Sequence, residues 1–313
     1  MKQLKTLFIM VIFLLLISAC GQDDQTSQAK GESETKIYTD TTGVEVEIPK
    51  NPERIVTTQY LDAMIALGHK PVGAATHVLD NNYLKEKQEG VVDIGNPVNV
   101  EKVLELEPDL IITANPEEVE QLSKIAPTVV IAFNAVDVYG QLTEVGKVLG
   151  KEDEAEAWIA DYKEKSEEAQ EQLNGVIGED ETVSIFMTYK NILRVYGGRN
   201  IGHIFYRSLG LTPPPYIQEK IADDPEFVEF NNEEISMEKL PELAGDHIIM
   251  LNYGPETSEE GGMFNDIENS TLWQNLDAVE AGNFHVIQQE PWFTYSPIAS
   301  KESLELSVDL LTK

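Results

Sequence analysis

Two stretches of the chain, VEKVLELEPDLIITAN (Val100 to Asn115) and MEKLPELAGDHIIMLN (Met237 to Asn252), stand 137 residues apart and share eight of sixteen residues without a gap. Glu101 falls on Glu238, Lys102 on Lys239, Glu105 on Glu242, Leu106 on Leu243 and Asp109 on Asp246, while Ile111, Ile112 and Asn115 fall on Ile248, Ile249 and Asn252. Each copy reads as a polar helix running into a short, continuous apolar strand. Such strands are buried on both faces, so each copy needs a covered sheet of its own. Apolar strands after helices are generic to α/β chains, but matched Glu-Lys, Asp and Asn positions are not. The repeat therefore predicts two related α/β lobes facing each other across a cleft.

The surrounding pattern agrees. KIYTDTTGVEVEIP reads as a hairpin turning at Thr-Thr-Gly. RIVTT, KPVGAAT, DLIITA and TVVIAF follow as strand-length apolar runs separated by helical segments such as LDAMIALG and PEEVEQLSKIA. From Val138 to Asn174 the spacing of Leu142, Val145, Val148, Leu149, Ala155, Trp158, Ile159 and Tyr162 predicts one long helix, or two nearly collinear ones, with a solvated charged face. VSIFMTY, LRVYG, DHIIMLN and FHVI are strands of a second lobe, IGHIFYRSLG is a helix, and ASKESLELSVDLL closes the chain as another. The predicted organisation is a leader over 1–19, a tether over 20–34, lobes over 35–137 and 175–313, and a linking helix over 138–174.

At the start, Lys2 and Lys5 precede an apolar run from Leu7 to Ile17 and the small residues Ser18 and Ala19. That is the pattern of a secretory signal, too short for a membrane span of about 20 residues. The chain has one cysteine, Cys20, which has no internal disulfide partner. Ile17-Ser18-Ala19-Cys20 resembles the lipobox of bacterial lipoproteins, whose cysteine is diacylated and becomes the mature N-terminus. The net charge of -32 argues against nucleic acid or anionic lipid as a partner. A membrane attachment therefore falls to the lipid on Cys20, through a polar tether without an apolar cluster.

Lipobox, tether, YTDTTGVEVEIPKNPERIV, ALGHKPVGA, VEKVLELEPDLII, QLSKIAPTVV, the linking helix and WQNLDAVEAGNFHVI together resemble the substrate-binding lipoproteins of ABC transporters for iron-siderophore complexes and vitamin B12. The resemblance runs from Cys20 almost to Lys313. Within that family the chain is similar to ferric hydroxamate receptors of Gram-positive bacteria. The resemblance implies the class III periplasmic-binding-protein fold, two Rossmann-like lobes on a rigid backbone helix with a shallow cleft. It also implies a monomer on the extracellular face of the cell membrane that delivers its ligand to an ABC permease without catalysis or a cofactor of its own. By analogy, the permease receives one exposed glutamate from each lobe. Glu101 and Glu238 match those positions, each two residues after a candidate helix cap, Asn99 or Ser236. A glutamate there also suits the helix dipole, by about 0.3 to 1 kcal/mol, which is the plainer account of either one alone.

A chelated ferric ion is already six-coordinate and needs no direct ligands from protein, only a concave site with aromatic walls and hydrogen-bond donors. His69, His77, His203, His247 and His285 are scattered and form no paired metal motif. The leading ligand candidate is Arg199 in LRVYGGRNIGHIF, beside a helix start near Ile201; it aligns with a ligand-binding arginine of hydroxamate receptors. EPWFTYSP offers Trp292, Phe293 and Tyr295, of which Trp292 resembles the cleft tryptophan of these receptors. Strand ends of the first lobe offer Thr58, Gln59, Tyr60, His77 and Asn115, and Arg194 and Tyr189 are further candidates in the second. Capping or turn chemistry is the alternative for each first-lobe residue, and for Arg194 and Tyr189 the alternative is that strand alternation turns them away from the cleft. Few cleft arginines in so acidic a chain favour a neutral or cationic hydroxamate complex over a trianionic catecholate. Cobalamin and haem share the architecture as alternatives, and a carboxylate-dependent surface enzyme is the alternative of another class.

Overall fold

A computed structural model describes residues 34–224, 229–253, 262–287 and 290–313. The leader, Cys20 and the tether up to residue 33 lie outside the described residues. From Thr35 onward the chain opens with a hairpin, β1 (Thr35–Thr39) against β2 (Glu45–Pro49). The Asp40 carboxylate accepts the Thr42 and Val44 amides at 2.9 and 3.1 Å to hold the turn, and Gly43 at its tip adopts a φ of 84°.

The first sheet runs β5 (Val92–Asp93), β4 (Gly73–Ala74), β3 (Ile55–Thr57), β6 (Leu110–Thr113), β7 (Thr128–Val130), with every pair parallel. Successive residues serve opposite faces, as pleating requires. Ile55, Leu110 and Ile112 enter one apolar cluster, whereas Val56 and Ile111 enter the other.

The second sheet runs β10 (Asn232–Ile235), β9 (Ile192–Tyr196), β8 (Val183–Tyr189), β11 (His247–Tyr253), β12 (Phe284–Ile287). It is mixed: β8, β11 and β12 are parallel, but β9 is antiparallel to both β8 and β10. Only two residues, Lys190 and Asn191, join β8 to β9, and so short a connection can only make a hairpin. Lys190 takes the positive φ, 54°, that such a turn demands. The short strands β5 and β10 were not legible as apolar runs, because Val92 and Asp93 are exposed and β10 carries Glu233 and Glu234.

The two copies of the repeat occupy the same place. β6 and β11 are each the fourth strand of their sheet, next to β3 and β8. Asp109 accepts the Arg54 amide at 3.0 Å, one residue before β3, and Asp246 accepts the Thr182 amide at 2.7 Å, one residue before β8. The paired isoleucines are fully buried in both copies.

The stretch over 138–174 is two helices, Val138–Leu149 and Glu152–Leu173, and the expectation of a single or collinear rod is corrected. Gly150 between them is left-handed, with φ 68°. A Cβ placed on Gly146 would lie 3.0 Å from that of Ala155. Nine residues of continuous helix span about 13 Å, so the chain folds back across the break. The longer helix bridges the lobes: Ala155, Trp158 and Ile159 pack with the first sheet, and Tyr162, Ala169 and Leu173 with the second. The closing helix Pro297–Leu311 does the same, with Ile298 on the first lobe and Leu304, Val308 and Leu311 on the second.

Candidate ligand site between the lobes

A cavity of about 410 Å³ is lined from both lobes. The first contributes Gln59, Tyr60, His77, Asp80, Tyr83 and Phe133 among others, and the second Asn200, Tyr253, Glu290, Phe293, Thr294 and Tyr295. The walls grow out of strand ends. At the end of β3 the Thr57 hydroxyl accepts the Tyr60 amide at 2.9 Å, turning the chain so that Gln59 and Tyr60 reach the cavity. Tyr60 is buried and its hydroxyl donates to the Ile131 carbonyl. Burial pushes that phenol's pKa up. His77 Nε2 lies 3.0 Å from Gln59 Oε1 on the same wall, and partial burial pushes its pKa down.

Arg199 is 1 % exposed. Its guanidinium is sandwiched between two rings that line the cavity, 4.9 Å from the Phe133 centroid and 4.7 Å from that of Tyr295. Nη2 donates to the Phe133 carbonyl, so the second lobe holds the first through this side chain. Nε and Nη1 have no hydrogen-bond partner among the described residues. Leaving a charged donor unpaired in the interior costs at least about 1–3 kcal/mol.

The glycines of LRVYGGRNIG serve close approach rather than left-handed backbone. A Cβ on Gly197 would meet the Phe230 ring at 2.2 Å, and one on Gly202 would meet the Gly197 carbonyl oxygen at 1.7 Å. The positive φ in this turn, 54°, belongs to Asn200. The helix that begins at Ile201 continues as π-helix over His203–Ser208.

Tyr295 ties the wall to the helix pair. Its hydroxyl accepts the Val138 amide at 3.2 Å and lies 3.3 Å from His203 Nδ1, and its carbonyl accepts from Gln141 at 3.1 Å. Tyr189, Tyr253 and Phe293 form an aromatic row, with centroids 4.8 and 4.4 Å apart, whose inner two members line the cavity.

Of the residues singled out in the sequence, the structure thus gathers Gln59, Tyr60, His77, Phe293 and Tyr295 around the cavity, with Arg199 buried behind the Phe133 and Tyr295 rings and Tyr189 at the outer end of the row. Four fall elsewhere. Trp292 is buried in the second-lobe core, stacked on Phe205 at 6.0 Å, so it props the segment rather than facing the cavity. Asn115 caps a helical turn by accepting the Glu117 amide at 3.0 Å and lines a separate groove. Arg194 reaches across to the neighbouring strand β10, donating to Asn232 Oδ1 at 3.4 Å. Thr58 is likewise internal, bonded to Thr113 at 3.0 Å. Phe133 and Tyr253 were missed although both stand at or just beyond the carboxyl ends of strands, β7 and β11, where the strand-end rule would have found them.

Glu101 and Glu238 are both exposed. The Asn99 carboxamide accepts the Glu101 and Lys102 amides at 3.0 and 3.1 Å, a true helix cap. Ser236 does not cap its turn through its side chain as expected; the Glu238 carboxyl is held below its ordinary range by its own backbone amide first and by the Ser236 hydroxyl second.

Among the described residues, no group of three or more His, Cys, Asp or Glu gathers to hold a metal ion, and no helix is long and apolar enough to cross a membrane.

The periplasmic binding protein family matches residues 55–291. This chain belongs to that family. As a periplasmic binding protein it is 34% identical to the iron(3+)-hydroxamate-binding protein YxeB of Bacillus subtilis, over 100% of this chain and 97% of that one. It is 37% identical to the iron(3+)-hydroxamate-binding protein FhuD of the same organism, over 100% and 98%. Among solved structures, this binding protein resembles the FhuD fold-family component of a Fep/Fec-like ferrichrome ABC transporter from Bacillus subtilis. The TM-score is 0.76 at 35% identity, covering 88% of this chain and 100% of that one.

Proposed function

We propose that this chain is a receptor for a ferric hydroxamate siderophore that delivers its cargo to an ABC permease. The observation that carries the reading is Arg199, buried behind the cavity-lining rings of Phe133 and Tyr295 with the N–H groups of Nε and Nη1 unspent. Hydroxamate oxygens that hold iron retain lone pairs for such donors, and the aromatic walls suit the organic frame around them. The names of the relatives support the same ligand class. Iron enters as cargo inside its chelator.

In the same reading, Cys20 carries a diacyl anchor and the chain works at the outer face of the membrane. Glu101 and Glu238 are the permease contacts, equivalent in the repeat and exposed.

The test is a binding panel on the purified full chain, read by quenching of its three tryptophans, with ferric hydroxamates, ferric citrate, ferric catecholates, haem and cobalamin. Ferric hydroxamates should bind tightest, and Arg199→Ala should weaken them by roughly 10- to 100-fold. Tighter binding of haem or cobalamin would overturn the reading.

A further inference from the structure

Arg199 sits behind the ring wall, and the residue of the same turn that lines the cavity is its neighbour, Asn200. Among the described residues four carboxamide side chains line the cavity, those of Gln59, Asn81, Gln141 and Asn200. Three are engaged by the protein. Gln59 Oε1 lies 3.0 Å from His77 Nε2, Asn81 donates to the Val78 carbonyl at 2.9 Å, and Gln141 donates to the Tyr295 carbonyl at 3.1 Å. Asn200 bonds through neither end. Its Oδ1 is buried with no hydrogen-bond partner among the described residues, and Nδ2, equally unbonded, is the accessible end. A carboxamide held with its oxygen inward turns its two N–H donors to the cavity.

The backbone at Asn200 is the second observation. Its φ of 54° lies in the left-handed region, which L side chains enter at a cost and glycine enters freely. The turn holds Gly197, Gly198 and Gly202, yet Gly202 has an ordinary φ of -62° and is required only by the close approach of the Gly197 carbonyl. A side chain therefore stands at the one position of this turn where glycine would relieve strain. The turn is also pinned. The Gly197 and Gly198 amides donate to the Asn231 and Phe230 carbonyls at 2.7 and 3.0 Å, and the Asn200 carbonyl accepts the His203 amide at 3.1 Å. A donor carried on fixed backbone is already placed for its acceptor, so little ordering is left for binding to cost.

We propose that Asn200 is a ligand-contacting residue of the cavity, donating through Nδ2 to an oxygen of the ferric hydroxamate, while Arg199 supports the rings from behind. This rests on the hydroxamate reading above. It adds an uncharged donor from the second lobe. The competing account is that asparagine serves the turn alone, since it tolerates left-handed backbone better than most residues. That account assigns no use to the open amine, and the two accounts differ in what glycine should do at this position.

The experiment titrates a linear ferric tris-hydroxamate into the full chain, into Asn200→Gly and into Asn200→Asp, with urea unfolding of each protein alongside. Glycine relieves the positive φ and deletes the carboxamide. Aspartate keeps the shape and the tolerance of that φ but puts an acceptor where the donor was. Glycine should leave the unfolding midpoint at or above that of the parent protein, yet weaken the ferric hydroxamate by about three- to ten-fold. Aspartate should weaken it by at least as much, because its anion faces oxygen lone pairs. A glycine variant that binds as tightly as the parent protein overturns the contact and leaves Asn200 to the turn. An aspartate variant that binds as tightly overturns the donor role. A parent protein that binds no ferric hydroxamate overturns the reading above, and the contact with it.

Discussion

Asp62, on the first helix after β3, accepts a hydrogen bond from the Ser296 hydroxyl at 2.8 Å, across 234 positions of sequence. It also accepts the Ile298 amide at 2.8 Å. The closing helix Pro297–Leu311 has no side-chain cap from Ser296, its own N-cap residue. A carboxylate of the other lobe does that work, so the contact both ends a helix and joins the lobes.

That arrangement has a pH signature. Burial raises the Asp62 carboxyl to about 6, above its ordinary 3.8, against the pull of its hydrogen bonds. The folded state then holds this proton more tightly than the unfolded chain, so the contribution of Asp62 to stability falls as pH rises from about 4 to about 6. Comparing urea unfolding of the parent protein and Asp62→Asn across that window should show their difference changing by on the order of 2–3 kcal/mol. A difference constant with pH would contradict the buried assignment.

His203 should act in the opposite sense. It is fully buried between Tyr139 and Tyr295, and burial, with Arg207 and Arg199 nearby, pushes it down to about 3. The unfolded chain therefore takes up the proton first, and stability is lost as pH falls below about 6.5. His203→Phe keeps a ring in place and removes the titration. Between about pH 6.5 and 4.5 it should lose on the order of 2–3 kcal/mol less stability than the parent protein.

The glycines of the Arg199 turn should separate from ordinary turn glycines. Gly202→Ala drives a methyl into the Gly197 carbonyl and should destabilise by about 3 kcal/mol or more, displacing Arg199 and weakening ligand binding. Gly43→Ala meets open space and pays only for its positive φ, about 1–2 kcal/mol, with binding intact. Chemical denaturation paired with a ligand titration distinguishes the two outcomes.

Reversing both corner charges, Glu101→Lys with Glu238→Lys, should leave ligand affinity within about two-fold, since both are exposed and outside the cavity lining. Uptake of iron-loaded ligand by cells should be lost. Transport that persists at the parent rate would remove these residues from the docking role.

The sequence by itself determined the two α/β lobes, the hairpin, the repeat and its equivalent place in each sheet. Those follow from local periodicity and from apolar runs that have nowhere to go but a covered sheet. It also determined where to look for the site, at strand ends and in the glycine-flanked Arg199 turn. Only the tertiary structure decided which strand-end side chains face the cavity. Asn115 and Tyr253 both stand at strand ends, yet one is spent on a helix cap and the other lines the site. Trp292 and Phe293 are neighbours, yet the first fills the core against Phe205 and the second joins the aromatic wall. Polarity and spacing say whether a residue is buried. Its partner depends on what distant segments bring to it, as Ser296 is brought to Asp62 and Phe133 to Arg199.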